Sequence, residues 1–237
     1  MTLHKYILTT LAGFSMLASS CSDCTEGSGN VTSIDRPLSA FSRIRLEGSS
    51  HAYIIKDSVF FVRISADDNV IPLIETSVSN GKLVVGKMDN KCIKNEHRTD
   101  IYIHTNNIQE VIMEGSGSVD GQSGFAGDEL SVTIKGSGDL RMNYVGNKVR
   151  GAIEGSGNIH LAGAAATQEF AITGSGYIHA DQMPASNVKV SIQGSGNMDV
   201  NSTGYLDVNI SGSGTVWYSG NPSIQTDISG SGKVKKK

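Results

Sequence analysis

Three shortages bound this chain before any motif is considered. It lacks an apolar run long enough to cross a bilayer. The most hydrophobic stretch, Tyr6–Leu17, is about 12 residues long, where a spanning helix needs about 20. It lacks positive charge. Twenty lysines and arginines stand against 23 acids, a formal net charge of −3, and no basic face suggests a nucleic-acid partner. It is also poor in cysteine, with only Cys21, Cys24 and Cys92. Cys24 and Cys92 could pair in an oxidising envelope or remain free thiols, and the sequence leaves both open.

The catalytic constellations that often accompany repetitive β chains are missing too. A polysaccharide lyase or hydrolase needs carboxylates clustered at one groove. Asp120, Asp139 and Asp199 instead fall on outward positions several repeats apart, and a solvated surface is expected for them. No Gly-Gly-x-Gly-x-Asp calcium repeat occurs. Aliphatic residues recur every two positions, not every six as in hexapeptide acyltransferases. A non-enzymatic protein without a cofactor is the expectation.

What is present begins with export. Lys5, the apolar run and the small residues Ala18-Ser19-Ser20 precede Cys21, a pattern that resembles a bacterial lipobox. It implies a signal peptide over 1–20, cleavage before Cys21 and lipid on its sulfur, with 21–30 as a tether. Removing 1–20 takes away one lysine and no acid, which leaves 19 basic against 23 acidic residues. "SDCTE" resembles the acidic export tag of Bacteroidetes surface lipoproteins.

The dominant feature is Gly-Ser-Gly, at 115–117, 136–138, 155–157, 174–176, 194–196, 212–214 and 230–232, with a degenerate "EGSS" from Glu47. Successive first glycines are 21, 19, 19, 20, 18 and 18 residues apart, and a triplet repeated so regularly is architecture. Two residues before it stand Met113, Ile134, Ile153, Ile172, Ile192, Ile210 and Ile228; two after it stand Val119, Leu140, Ile159, Ile178, Met198, Val216 and Val234. Period-two apolarity on both sides means strands with one buried face, so the triplet is a corner. The glycines fall on the inward parity, where an interior corner leaves no room for a side chain. At roughly 3.3 Å per residue, a coil of this length has a perimeter of about 63 Å. "GQSGFAGDE", "ADQMPASN" and "SGNPS" supply the second corners.

An antiparallel meander would show the same period, and the outward columns decide against it. Five residues before the triplets the column reads Glu110, Ser131, Arg150, Glu169, Lys189, Asp207, Gln225. Alternating charge stabilises only if equivalent positions stack on parallel neighbours. The expected fold is all-β, a right-handed parallel β-helix with coils of about 19 residues. One domain is expected over 31–237, with 111–237 regular and 31–110 an irregular capping portion that includes an Asn80-Gly81 hairpin.

The lipobox, "RPLSAFSRIRLEGSSHAYI", "NGKLVV" and the serial corners together resemble the head GIN domain family of autotransporter-type adhesins, over nearly all of the mature chain. The resemblance implies a β-helix related in shape to pectin lyases, without their catalytic residues, and a role in cell adhesion.

The expected function is therefore a lipid-anchored protein on the bacterial outer membrane, at the cell surface, that presents a rigid surface to a glycan or protein. An envelope-stress sensor or scaffold and a glycan-active enzyme are the alternatives. Outward columns after the triplets hold Asp139, Asn158, Tyr177 and Asn197, then Arg141, His160, His179, Asp199 and Trp217. Exposed aromatic rings among polar groups stack on sugars or anchor protein partners, so Tyr177, His179 and Trp217 are the candidate contact residues. His160 and His179 would lie about 5 Å apart on stacked coils, which makes a polar ladder or, given a third ligand, a metal site. Cys92 and His97 of "CIKNEH" are read as loop residues rather than ligands.

Overall fold

Residues 24–89, 91–94 and 97–237 are described by the computed structural model; residues 1–20, read above as a signal peptide, and Cys21 lie outside them. Strands Ser118–Gly136, Asp139–Gly155, Asn158–Gly174, Tyr177–Gly194 and Asn197–Gly212 follow one another, each paired in parallel with the next. Thr215–Ser219 and Ser223–Gly230 stack on the last of these, and Lys233–Lys236 on Thr215–Ser219. Register shifts fall at Asp120/Gly124 and from Ala180 to Asn187, inside the polar returns expected to turn. The last return separates Ser219 from Ser223. Bulges bend a strand without ending its ladder, so single long strands run around each second corner.

The two glycines of a corner are required for different reasons. Gly174 has φ +126°, and a Cβ there would lie 2.3 Å from the carbonyl oxygen of Gly155, its counterpart one coil earlier. That oxygen accepts from the Ser175 amide at 2.9 Å, so the corners are stitched backbone to backbone. Gly176 is buried, and a Cβ there would strike Gly157 O at 2.5 Å and Ile153 Cγ2 at 2.8 Å. Only the second glycine yields its space to the core. The first yields it to the neighbouring corner.

Inside, the expected columns are continuous from Met113 to Ile210 and from Val119 to Val216, but Ile228, expected inward, is 39% exposed, because among the described residues no further strand stacks on Ser223–Gly230. Ile134, Ile153, Ile172, Ile192 and Ile210 are at most 1% exposed, as are Leu140, Ile159, Ile178, Met198 and Val216. Each such side chain contributes roughly 1.5–3 kcal/mol by leaving water. Gly151 interrupts the next column, and the Phe170 ring occupies the space: a Cβ on Gly151 would meet Phe170 Cδ1 at 2.9 Å.

The N-terminal portion contains one regular coil and an antiparallel cap. Arg43–Gly48 and His51–Lys56 flank the degenerate corner and stack on Glu110–Gly115 and on the strand from Ser118. The remaining strands then extend both faces. On one, Lys82–Lys87 lies parallel to Arg43–Gly48 and turns through Asn80 (φ 50°) and Gly81 (φ 71°) to the antiparallel Ile74–Ser79. On the other, Asp100–Thr105 lies parallel to His51–Lys56, followed by antiparallel Phe61–Asp67 and Val31–Pro37. The tether segment is fastened from Cys24 onward. Cys24 and Cys92 form a disulfide, Thr25–Glu26 pairs with Ile93–Lys94, and Ser28 and Asn30 bond the Asp68 carboxylate.

The charge ladder is in register from Glu110 to Gln225 as expected. Its pairing is less symmetrical. The Glu169 carboxylate binds Lys148 at 2.6 Å and Arg150 at 2.9 Å, while Arg150 also pairs with Glu129. Lys189, the cross-strand neighbour on the other side, forms no ion pair with Glu169 among the described residues. The lysine bond, then Arg150, holds the Glu169 carboxyl below its ordinary range.

Candidate functional site

Parallel stacking converts the residue three places after each corner into a straight outward column. In register it runs Tyr102, Tyr53, Asp120, Arg141, His160, His179, Asp199, Trp217, Lys235. Beside it runs Asp139, Asn158, Tyr177, Asn197, Thr215. The three candidates therefore meet on one face, with Tyr177 and His179 on one coil and Trp217 two coils on.

Their rings form a stack. His160 and His179 lie 4.4 Å apart with planes 8° from parallel, and His179 and Tyr177 3.8 Å apart at 12°. Tyr177 and Trp217 are 6.2 Å apart at 13°. Tyr177 starts in the neighbouring column and leans across, so that its ring fills the step where the column holds only the short Asp199. A second pair, Tyr53 and Tyr102, stacks at 5.0 Å near the other end of the column.

Asp199 holds the arrangement together. The Tyr177 hydroxyl donates to its Oδ2 at 2.9 Å, and His179 Nδ1 lies 3.3 Å from the same oxygen. Lys237 Nζ lies 3.1 Å from Oδ1 and 3.3 Å from Asp181 Oδ2. Burial, then the bond to Asp199, raises the Tyr177 hydroxyl far above its ordinary range, so it remains a donor. This corrects the expectation of a solvated Asp199, which is 7% exposed. Strand parity points it outward correctly, but converging neighbours cover it. Tyr177, His179 and Trp217 are likewise half-buried rather than freely exposed, because each ring covers the next.

Burial, His179 and Arg141 together hold the His160 imidazole below its ordinary value. An open groove of 420 Å³ adjoins the stack, lined among others by Arg141, Asn143, His160, His179, Asp181 and Gln182. The sequence columns contain Arg141 and His160. Asp181 and Gln182 sit where register slips, and Lys237 reaches in from just beyond Lys233–Lys236, so no periodic signal marks them. Cys92 and His97 are not brought together as a site: Cys92 is in the disulfide, and His97 Nδ1 lies 3.1 Å from the buried Asp67.

A family model described as "Putative auto-transporter adhesin, head GIN domain" matches residues 40–222. Among solved structures, a "putative adhesin" from Bacteroides fragilis NCTC 9343 superposes with a TM-score of 0.86 at 24% identity, covering 90% of this chain and 100% of that one. A "putative lipid binding protein" from Parabacteroides distasonis gives 0.75 at 24% identity, with 91% and 100% covered. A "putative adhesin" from Parabacteroides merdae gives 0.70 at 24%, with the same coverage. Likeness at these identities carries the fold alone. No curated protein matches the chain.

Proposed function

Because the chain belongs to the head GIN domain family of auto-transporter adhesins, we propose that it is a cell-surface adhesin, anchored to the bacterial outer membrane by lipid on Cys21, whose contact surface is the face bearing Tyr177, His179 and Trp217. The family supports the adhesin role, and the lipobox supports the anchor. The observation that carries the contact face is the ring stack fixed on buried Asp199. Aromatic side chains locked before binding lose little freedom when a ligand arrives, which favours affinity. The ligand is a surface glycan or a protein.

The test uses the chain displayed on cells. Cys21→Ser should move it from the membrane fraction to the soluble one, and retention in the membrane would refute the anchor. Tyr177→Ala/His179→Ala/Trp217→Ala should abolish adhesion with the β circular-dichroism spectrum preserved. Should that variant lose its fold, Trp217→Ala alone keeps the Tyr177–Asp199 bond and answers the same question. Adhesion unchanged in a folded variant would discard this face.

A further inference from the structure

The face carries a cation that the fold does not use. Arg141 is exposed in the ring column, at the rim of the 420 Å³ groove. Three nearby acids are otherwise engaged: Asp139 accepts from the Asn158 amide at 2.9 Å, and Asp181 and Asp199 share Lys237. Asp120 is the cross-strand neighbour of Arg141, yet no carboxylate among the described residues lies within ion-pair distance of its guanidinium. By contrast, Arg45, Arg63, Arg98 and Arg150 all have carboxylate partners.

Resting on the contact-face reading above, we propose that this groove binds a carboxylated sugar residue of an acidic glycan, with Arg141 holding the carboxylate. The planar guanidinium matches a carboxylate with two parallel hydrogen bonds. His179 covers one face of the His160 ring, and the other is turned along the column toward Arg141, where the C–H face of a pyranose can lie against it. Met142, Leu161 and Ala162 give the groove an apolar floor, while the exposed Asn143 and Gln182 amides reach sugar hydroxyls from its sides. A few orienting polar groups over an apolar surface is the usual composition of a small-molecule site, and the volume lies in the usual range. From Tyr102 to Lys235 the column crosses eight strand steps, about 38 Å at 4.8 Å each. A polymer can therefore extend from Arg141 toward the Tyr53–Tyr102 pair on one side and the ring stack on the other.

Calorimetric titration of the folded, lipid-free chain tests this with tetrasaccharides of galacturonate, glucuronate and mannuronate, each beside its carboxyl-reduced counterpart. At least one uronate should bind and its reduced form should not. Arg141→Gln should weaken that binding about tenfold or more, and Arg141→Lys should restore only part, since a lysine keeps the charge but loses the fork. No binding of any uronate, equal binding of the reduced sugars, or no effect of Arg141→Gln would each overturn the proposal. Adhesion that still depends on Trp217 without uronate binding would discard the acidic sugar and keep the contact face.

Discussion

Replacing Gly174 by alanine is the sharpest perturbation of the corner design. The new Cβ would stand 2.3 Å from Gly155 O, about 1 Å inside a normal contact, at a φ of +126° that side chains rarely adopt. Backbone strain of this kind costs about 1–3 kcal/mol. Relief requires lifting the corner from Gly155, which sacrifices the 2.9 Å Ser175 N–H bond to that oxygen, worth about 1 kcal/mol. It also displaces the Gly174 carbonyl that accepts from the Ser195 amide. The sum is about 3–5 kcal/mol, which at about 2–4 °C per kcal/mol for a chain of this size is about 6–20 °C in Tm. Ser175→Ala, on the exposed side of the same corner, should stay within about 0.5 kcal/mol of the wild type. Thermal melts followed by circular dichroism measure both. Equal melting temperatures for Gly174→Ala and the wild type would refute the stacked-corner account.

Two further outcomes are expected. Glu169→Lys should destabilise by up to about 1 kcal/mol by placing a third cation beside Lys148 and Arg150, and adding Arg150→Glu should restore part of it; strict additivity in urea unfolding would show that residues 169 and 150 do not interact. His160 is held below its ordinary value of 6.5, so on acidification the unfolded chain takes up a proton that the folded chain refuses. Stability should therefore fall as the pH drops through the ordinary histidine value, about 6.5, and His160→Gln should flatten that slope; identical slopes would refute the link.

The fold was legible because its determinants repeat. Ile153, Ile172 and Ile192 announce a column, and the charges of Arg150 and Glu169 choose parallel over antiparallel neighbours. Legibility failed where contacts are made once. Nothing periodic shows that Tyr177 leans out of its own column over Asp199, or that Lys237 returns to cover it. The same holds for Glu169, whose register was readable but whose choice of Lys148 over Lys189 is written in no column. Pairing of Cys24 with Cys92 depends on a loop of the cap, and the antiparallel order of Val31–Pro37, Phe61–Asp67 and Asp100–Thr105 has no repeat behind it. Tyr177, His179 and Trp217 were brought together by column arithmetic alone, while the groove beside them needed the bulges.

The Cys24–Cys92 disulfide acquires a mechanical meaning if the molecule is pulled between a lipid at Cys21 and a ligand on the Trp217 face. Tension entering at Cys24 crosses the sulfurs to Cys92 and continues toward the coils, bypassing a loop with a sequence separation of 68. The cap strands between them, with their short antiparallel pairings, are then spared the load. A reducing environment would place the whole segment between the two cysteines in series with it, the coil of Arg43–Gly48 and His51–Lys56 included.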